Sequence, residues 1–274
     1  MKKIMEALKT THLYNWINLF AFAAMVAVNI MANALPLGGN TSGQVSDRYP
    51  SLFTPAGITF AIWGVIYAFL GFVLIRQLLT SREDRKVITY NIGGLFAVSC
   101  VLNIGWIFSW HFGLIAGSTL IIFVLLANLI ILMVLVRYDR LLSLALGIYT
   151  AWIMVASMAS IFVQVASDGV NLINAAGEAF AMIAIVVSGA LLTVITLLTG
   201  NWTFSAVGIW AFIGIVIRQV SQYNGVYMLV TGSAILMILV MTVSIALLAY
   251  QSIKKEKPIR GRLISEQSPE AIPG

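Results

Sequence analysis

The feature that most constrains this chain is a series of apolar runs, each long enough to cross a bilayer, separated by short polar connections. They fall at about 13–35, 53–71, 87–110, 114–136, 141–164, 179–198, 203–219 and 227–250. The hydrocarbon interior of a membrane leaves no water for unpaired backbone groups, so each run is expected to be a helix. Hydrophobic residues make up 60% of the chain and charged residues 9%, which excludes a soluble globule. The expected fold is an all-α integral membrane protein with about eight transmembrane helices.

The charge supports this reading. A net charge of +6 would suit a nucleic-acid binder in a soluble chain, but here Lys and Arg sit in short connections and in the C-terminal tail. With eight spans, fourteen of the sixteen basic residues fall on the side of the N-terminus, and only Arg48 and Arg218 fall on the other. The positive-inside tendency then places both termini in the cytoplasm and the protein in the cell membrane, with 253–274 as a basic tail, either disordered or bound to the membrane surface. The one cysteine, Cys100, excludes an intramolecular disulfide. His12 and His111 lack partners at metal-ligand spacing, so no metal site is expected. Ala32-Asn33-Ala34 resembles a signal-peptidase site. However, Asn15, Asn18, Asn29 and Asn33 project to similar sides of a helix, as in a retained, bundle-facing first span.

The run 53–71 carries the most information. Thr54-Pro55 is expected to open a helix, with Thr54 as cap and Pro55 at the first helical position. On that helix Phe60, Trp63 and Tyr67 share one face. Gly57, Ala61, Gly64, Ala68 and Gly71 form a small-residue stripe about a quarter turn away, suited to a closely packed neighbour. In the third run Ser99, Asn103, Trp106 and Trp110 share a face, and in the fifth Tyr149, Trp152, Ala156, Ser160 and Gln164 do so. If the second, third and fifth helices face a common interior, their rings can sandwich a flat ligand, with Asn103 orienting its polar edge. The candidate ligand-binding residues are therefore Phe60, Trp63, Tyr67, Asn103, Trp106, Trp110, Tyr149 and Trp152. The alternative is that the rings fill gaps between helices and Asn103 joins helices by hydrogen bonding.

These segments resemble the translocator protein or tryptophan-rich sensory protein (TspO/MBR) family. Phe53-Thr-Pro-Ala-Gly, followed by Phe60, Trp63 and Tyr67, is similar to the family's signature, with Ile58 where the family has Trp. Leu102-Asn103-Ile-Gly-Trp106 resembles its Leu-Asn-x-x-Trp element, and Tyr149-Thr-Ala-Trp152 its Tyr-x-x-Trp element, with Ser160 where the family usually has Asn. The three matches span about 13–164 in the family's order. The expectation is a TspO-like five-helix unit over 1–164, an additional three-helix unit over 165–252 and the tail. The resemblance implies a pocket for planar or rigid apolar ligands such as porphyrins or sterol-like lipids, with a tetrapyrrole as ligand and no certain cofactor.

The connection 36–54, rich in turn residues, is either a lid over the bundle or a solvated link. Gly200-Asn201-Trp202-Thr203 is expected to form a tight turn. Arg218 is expected to pair with Glu178 or Asp168, or to snorkel to the interface. The leading function is a membrane-embedded binding protein acting as sensor, carrier or regulator. A small-molecule permease without ion coupling is the alternative, because no ionisable residue lies deep in a span. No Ser/His/Asp set, paired midplane carboxylates or metal cluster supports an enzyme. Light-dependent porphyrin breakdown, proposed for relatives, stays open. The expected partners are the lipid bilayer and a small apolar or amphipathic ligand, with no nucleic acid. A purely structural reading is a partner subunit whose small-residue stripe docks another helix, and a homo-oligomer is a further expectation.

Overall fold

The computed structural model describes residues 2–35, 37–79 and 92–266. The charged loop 81–86, the start of the expected third span, the side chain of His12 and residues 267–274 lie outside the described residues. The long helices are α1 (Lys2–Ala34), α3 (Ile62–Leu79), α4 (Leu95–His111), α5 (Ile115–Leu135), α6 (Arg140–Ser167), α7 (Ala175–Thr199), α8 (Thr203–Tyr223) and α9 (Met228–Glu266). A short helix α2 (Ser42–Asp47) and a 3-10 turn (Gly57–Ala61) lie between α1 and α3. Among the described residues seven helices are long and apolar enough to cross a membrane, and α4, with 17 residues, is a shorter apolar helix. Among the described residues there is no strand, only an isolated parallel bridge between Ser51 and Leu172.

Asn15, Asn18 and Asn29 of α1 point inward and find partners on neighbouring elements, as hydrocarbon favours. Asn15 accepts from Gln77 Nε2 of α3 at 2.8 Å, and Asn18 donates to the carbonyl of Gly93 at 3.0 Å. Asn29 reaches Asn103 of α4. The outward surfaces are correspondingly apolar: on α5, Leu120, Phe123, Val124, Ile131 and Val134 are exposed, while Ser118 and Asn128 are buried.

α6 is the central helix. Asp139 caps it by accepting from the Leu142 N–H at 3.0 Å. It presents small residues to its neighbours, and an added Cβ at Gly147 would collide with the Thr203 hydroxyl and the Asn201 amide. That close approach lets Asn201 donate to the carbonyl of Ser143 at 2.8 Å, joining α6 to the turn between α7 and α8. The turn forms as expected, with Gly200 left-handed at φ 69°. Helices α7, α8 and α9 meet over Gly189, packed against Met237 and Phe212, and Gly208, packed against Met241 and Leu192. Ser205 ties all three through Thr196 at 2.8 Å and Ser244 at 2.9 Å.

Two local expectations are corrected. Thr54 does not cap a helix; its hydroxyl bonds that of Ser51 at 2.7 Å, and Pro55 precedes the 3-10 turn rather than opening α3. The reason is tertiary: the Ala56 N–H donates to the Gly214 carbonyl of α8 at 2.9 Å, and Trp210 Nε1 donates to the Thr59 carbonyl at 2.9 Å. The small-residue stripe does not pack on a neighbouring helix of this chain along its length either. Gly57 and Gly64 face open space, and only Gly71 is packed, against Phe22 at 3.4 Å.

Candidate functional site

The eight candidate residues from the second, third and fifth expected spans occupy one region of the bundle, on α3 and its leading turn, α4 and α6. Trp63 is at its centre. Its ring centroid lies 5.6 Å from Tyr67, 5.9 Å from Trp106, 6.1 Å from Tyr149 and 6.4 Å from Trp152. Phe60 meets Trp152 edge-on at 6.1 Å, and Trp106 stacks on Trp110 at 6.1 Å. These are the offset and edge-to-face geometries that aromatic quadrupoles favour.

A buried polar chain runs beside the rings. Asn29 Nδ2 donates to Asn103 Oδ1 at 2.8 Å, and Asn103 Nδ2 donates to Tyr149 Oη at 3.1 Å. Asn29 also donates to the Met25 carbonyl at 2.9 Å. Asn103 thus joins three helices, α1, α4 and α6, and its amide is engaged by protein groups on both ends. Tyr149 and Asn103 are fully buried behind Trp63 rather than in the cavity wall.

The cavity itself is lined by Phe60, Trp63, Trp106, Trp110 and Trp152, by small residues of α6 that include Ala156, Ala159 and Ser160, and by Ser46, Thr54 and Pro55. Its volume is about 40 Å³, room for only one or two water-sized groups. The indole N–H groups of Trp106 and Trp152 are buried without a hydrogen-bond partner. Two buried, unpaired donors on residues that line an apolar cavity are a cost unless something brings an acceptor to them.

Residues 41–56 form the roof, so the long connection is a lid rather than a solvated link. Thr41 and Gln44 make a reciprocal capping box that sets α2. The indole of Trp110 donates to the Ser42 carbonyl at 3.1 Å, Phe53 stacks on Phe162 of α6 at 5.1 Å, and Phe162 stacks on Phe180 of α7 at 4.4 Å. Leu52, Phe53 and Thr54 are buried.

The lid also explains Arg218. Its Nη1 lies 2.8 Å from Asp47 Oδ1, at the end of α2, and not against Glu178 or Asp168. Those two acids are used elsewhere: Glu178 accepts from the Leu229 N–H at the start of α9 at 2.8 Å, and Asp168 accepts from Gln164 Nε2 at 3.0 Å. Sequence reasoning placed Arg218 at the correct end of the bundle but overlooked Asp47, an acid in the 36–54 connection at that same end. Ser46, Thr54 and Pro55 were missed as roof residues because a loop's fold over a bundle leaves no periodic signal.

The family model described as TSPO-like protein matches residues 15–247, from α1 to well within α9. No curated protein and no solved structure matches the chain. With a match over most of its length, running through every long helix, this chain belongs to the TSPO-like protein family.

Proposed function

We propose that the protein is a membrane-embedded binding protein, acting as sensor, carrier or regulator, for a planar or rigid apolar ligand with an acceptor at its edge, such as a porphyrin or a sterol-like lipid. The observation that carries this reading is the set of rings, Phe60, Trp63, Trp106, Trp110 and Trp152, that line one apolar cavity together with Ala156, Ala159 and Ser160, with the indole N–H groups of Trp106 and Trp152 buried without a partner. A flat ring system suits such walls, and a carbonyl or carboxylate on it suits the donors. Asn103 serves as scaffold in this reading, since its amide already bonds Asn29 and Tyr149.

A ligand of tens of atoms needs several hundred Å³, so in this reading the cavity of about 40 Å³ is the closed form and binding requires the lid to lift. The pocket belongs to residues 1–164, with 165–252 supporting it. The distribution of Lys and Arg favours both termini in the cytoplasm.

The test is titration of purified protein with protoporphyrin and a sterol panel, read by tryptophan quenching and thermal stability. A true ligand shifts both saturably. Trp106→Phe and Trp152→Phe keep a ring and remove the donor, and each is expected to weaken binding by about tenfold. Absence of saturable binding to folded protein would overturn the reading. Flux measured in proteoliposomes separates a carrier or permease from a sensor.

A further inference from the structure

Helix α8 bears on the lid along a single stripe. Trp210, Gly214 and Arg218 recur every four residues, so they lie one above another on one face. Each meets the segment 47–59: Trp210 donates to the Thr59 carbonyl, Gly214 accepts from the Ala56 N–H, and Arg218 holds Asp47 and approaches the Pro55 carbonyl at 3.4 Å. Gln219 adds a bond from Nε2 to the Leu52 carbonyl at 2.9 Å. The approach is tight, because a Cβ at Gly214 would overlap the Thr59 hydroxyl and sit 3.0 Å from Pro55 Cβ. Pro55 and Thr54 in turn line the aromatic cavity.

We propose that α8 positions the lid over the aromatic cavity, with Arg218 as the positioning residue acting through Asp47, and that release of this contact is the step that opens the cavity. The proposal rests on reading that cavity as the binding site, and it gives the three C-terminal helices a task in access to it. The Arg218–Asp47 pair is asymmetric. The Arg218 side chain is 5% exposed and that of Asp47 57%. Opening returns an already half-hydrated carboxylate to water, while the buried guanidinium loses both Asp47 and the Pro55 carbonyl. A contact built this way holds firmly when closed, because parting leaves the guanidinium buried without a counter-charge, and salt weakens it from the exposed side.

The experiment needs no ligand. In a Cys100→Ala background, Ser46→Cys places a thiol on the lid, at a buried position in the cavity wall. Its rate of modification by a water-soluble maleimide reports lid opening in the full-length protein. Arg218→Gln and Asp47→Asn are each expected to raise that rate about tenfold, as loss of a charge-assisted hydrogen bond implies. The exchanged pair Asp47→Arg with Arg218→Asp is expected to recover most of the slow rate. Ser205→Ala, which weakens the knot among α7, α8 and α9 away from the lid, should leave the rate unchanged. Equal rates in the parent, Arg218→Gln and Asp47→Asn would overturn the proposal, and so would an equal rise in Ser205→Ala, which would mean general loosening. Should Arg218→Gln fail to fold, Asp47→Asn decides, because its site is exposed. Labelling that obeys these expectations beside a failed porphyrin and sterol titration would keep the anchor and remove only the ligand reading; the reverse pattern would do the opposite.

Discussion

At the scale of single residues, the site is organised by groups that are already satisfied and groups that are not. Asn103 is of the first kind: with Asn29 and Tyr149 it forms a continuous polar chain in an apolar interior. Replacing it by Leu removes two bonds among three helices. The expected loss is about 1–2 kcal/mol of stability, the range for interhelical hydrogen bonds in membranes, visible as a lower midpoint in thermal unfolding. Trp106 and Trp152 are of the second kind, since their N–H groups have no protein partner. Their Phe variants should therefore leave the unfolding midpoint of the ligand-free protein unchanged or raised, in contrast to Asn103→Leu, because an unmet donor is removed along with its desolvation cost. Gly147 is a third type, conserving space rather than bonds. Gly147→Ala must displace the Thr203 hydroxyl and the Asn201 amide and is expected to cost about 1–3 kcal/mol, measured in the same unfolding assay.

At the scale of elements, what the sequence discloses depends on whether an interaction repeats with the helical period. Asn15, Asn18 and Asn29 announce the inner face of α1, and the structure buries all three. Ser99, Asn103, Trp106 and Trp110 likewise announce one face of α4, and all four are buried. The direction in which a face looks is a relation between helices, so hydropathy alone did not reveal it. The stripe through Gly57 and Gly64 reads as a packing face yet looks onto open space, because the rings next to it took the interior. The start of α3 was misread for a related reason: a Thr-Pro pair favours a helix opening locally, but the carbonyl of Gly214 and the indole of Trp210 hold this backbone in a 3-10 turn instead. Short elements in the lid follow local chemistry more closely. Thr41→Ala removes one half of the capping box of α2 and is expected to cost that helix about 1 kcal/mol, detectable as faster amide exchange over 42–47.

For the molecule as a whole, the three C-terminal helices are bound to the rest by connections of different chemistry. The amide of Asn201 reaches Ser143, the ion pair of Arg218 reaches Asp47, and the ring of Phe180 reaches Phe162. Such distributed coupling predicts one cooperative unfolding transition by calorimetry in detergent rather than two, although the sequence suggests a unit over 1–164 and another over 165–252. Two resolved transitions would show that these connections are weaker than the cohesion of either part.

The bond from the Ala56 N–H to the Gly214 carbonyl also has a meaning in time. A ribosome makes the donor roughly 160 residues before the acceptor, an interval of about 8–30 s at ordinary elongation rates. Through that interval the nascent α1–α6 segment carries its ring cluster without the surface that later seats its roof. Seating of the roof therefore awaits the arrival of α8, and a chaperone has its best opportunity before that helix is inserted.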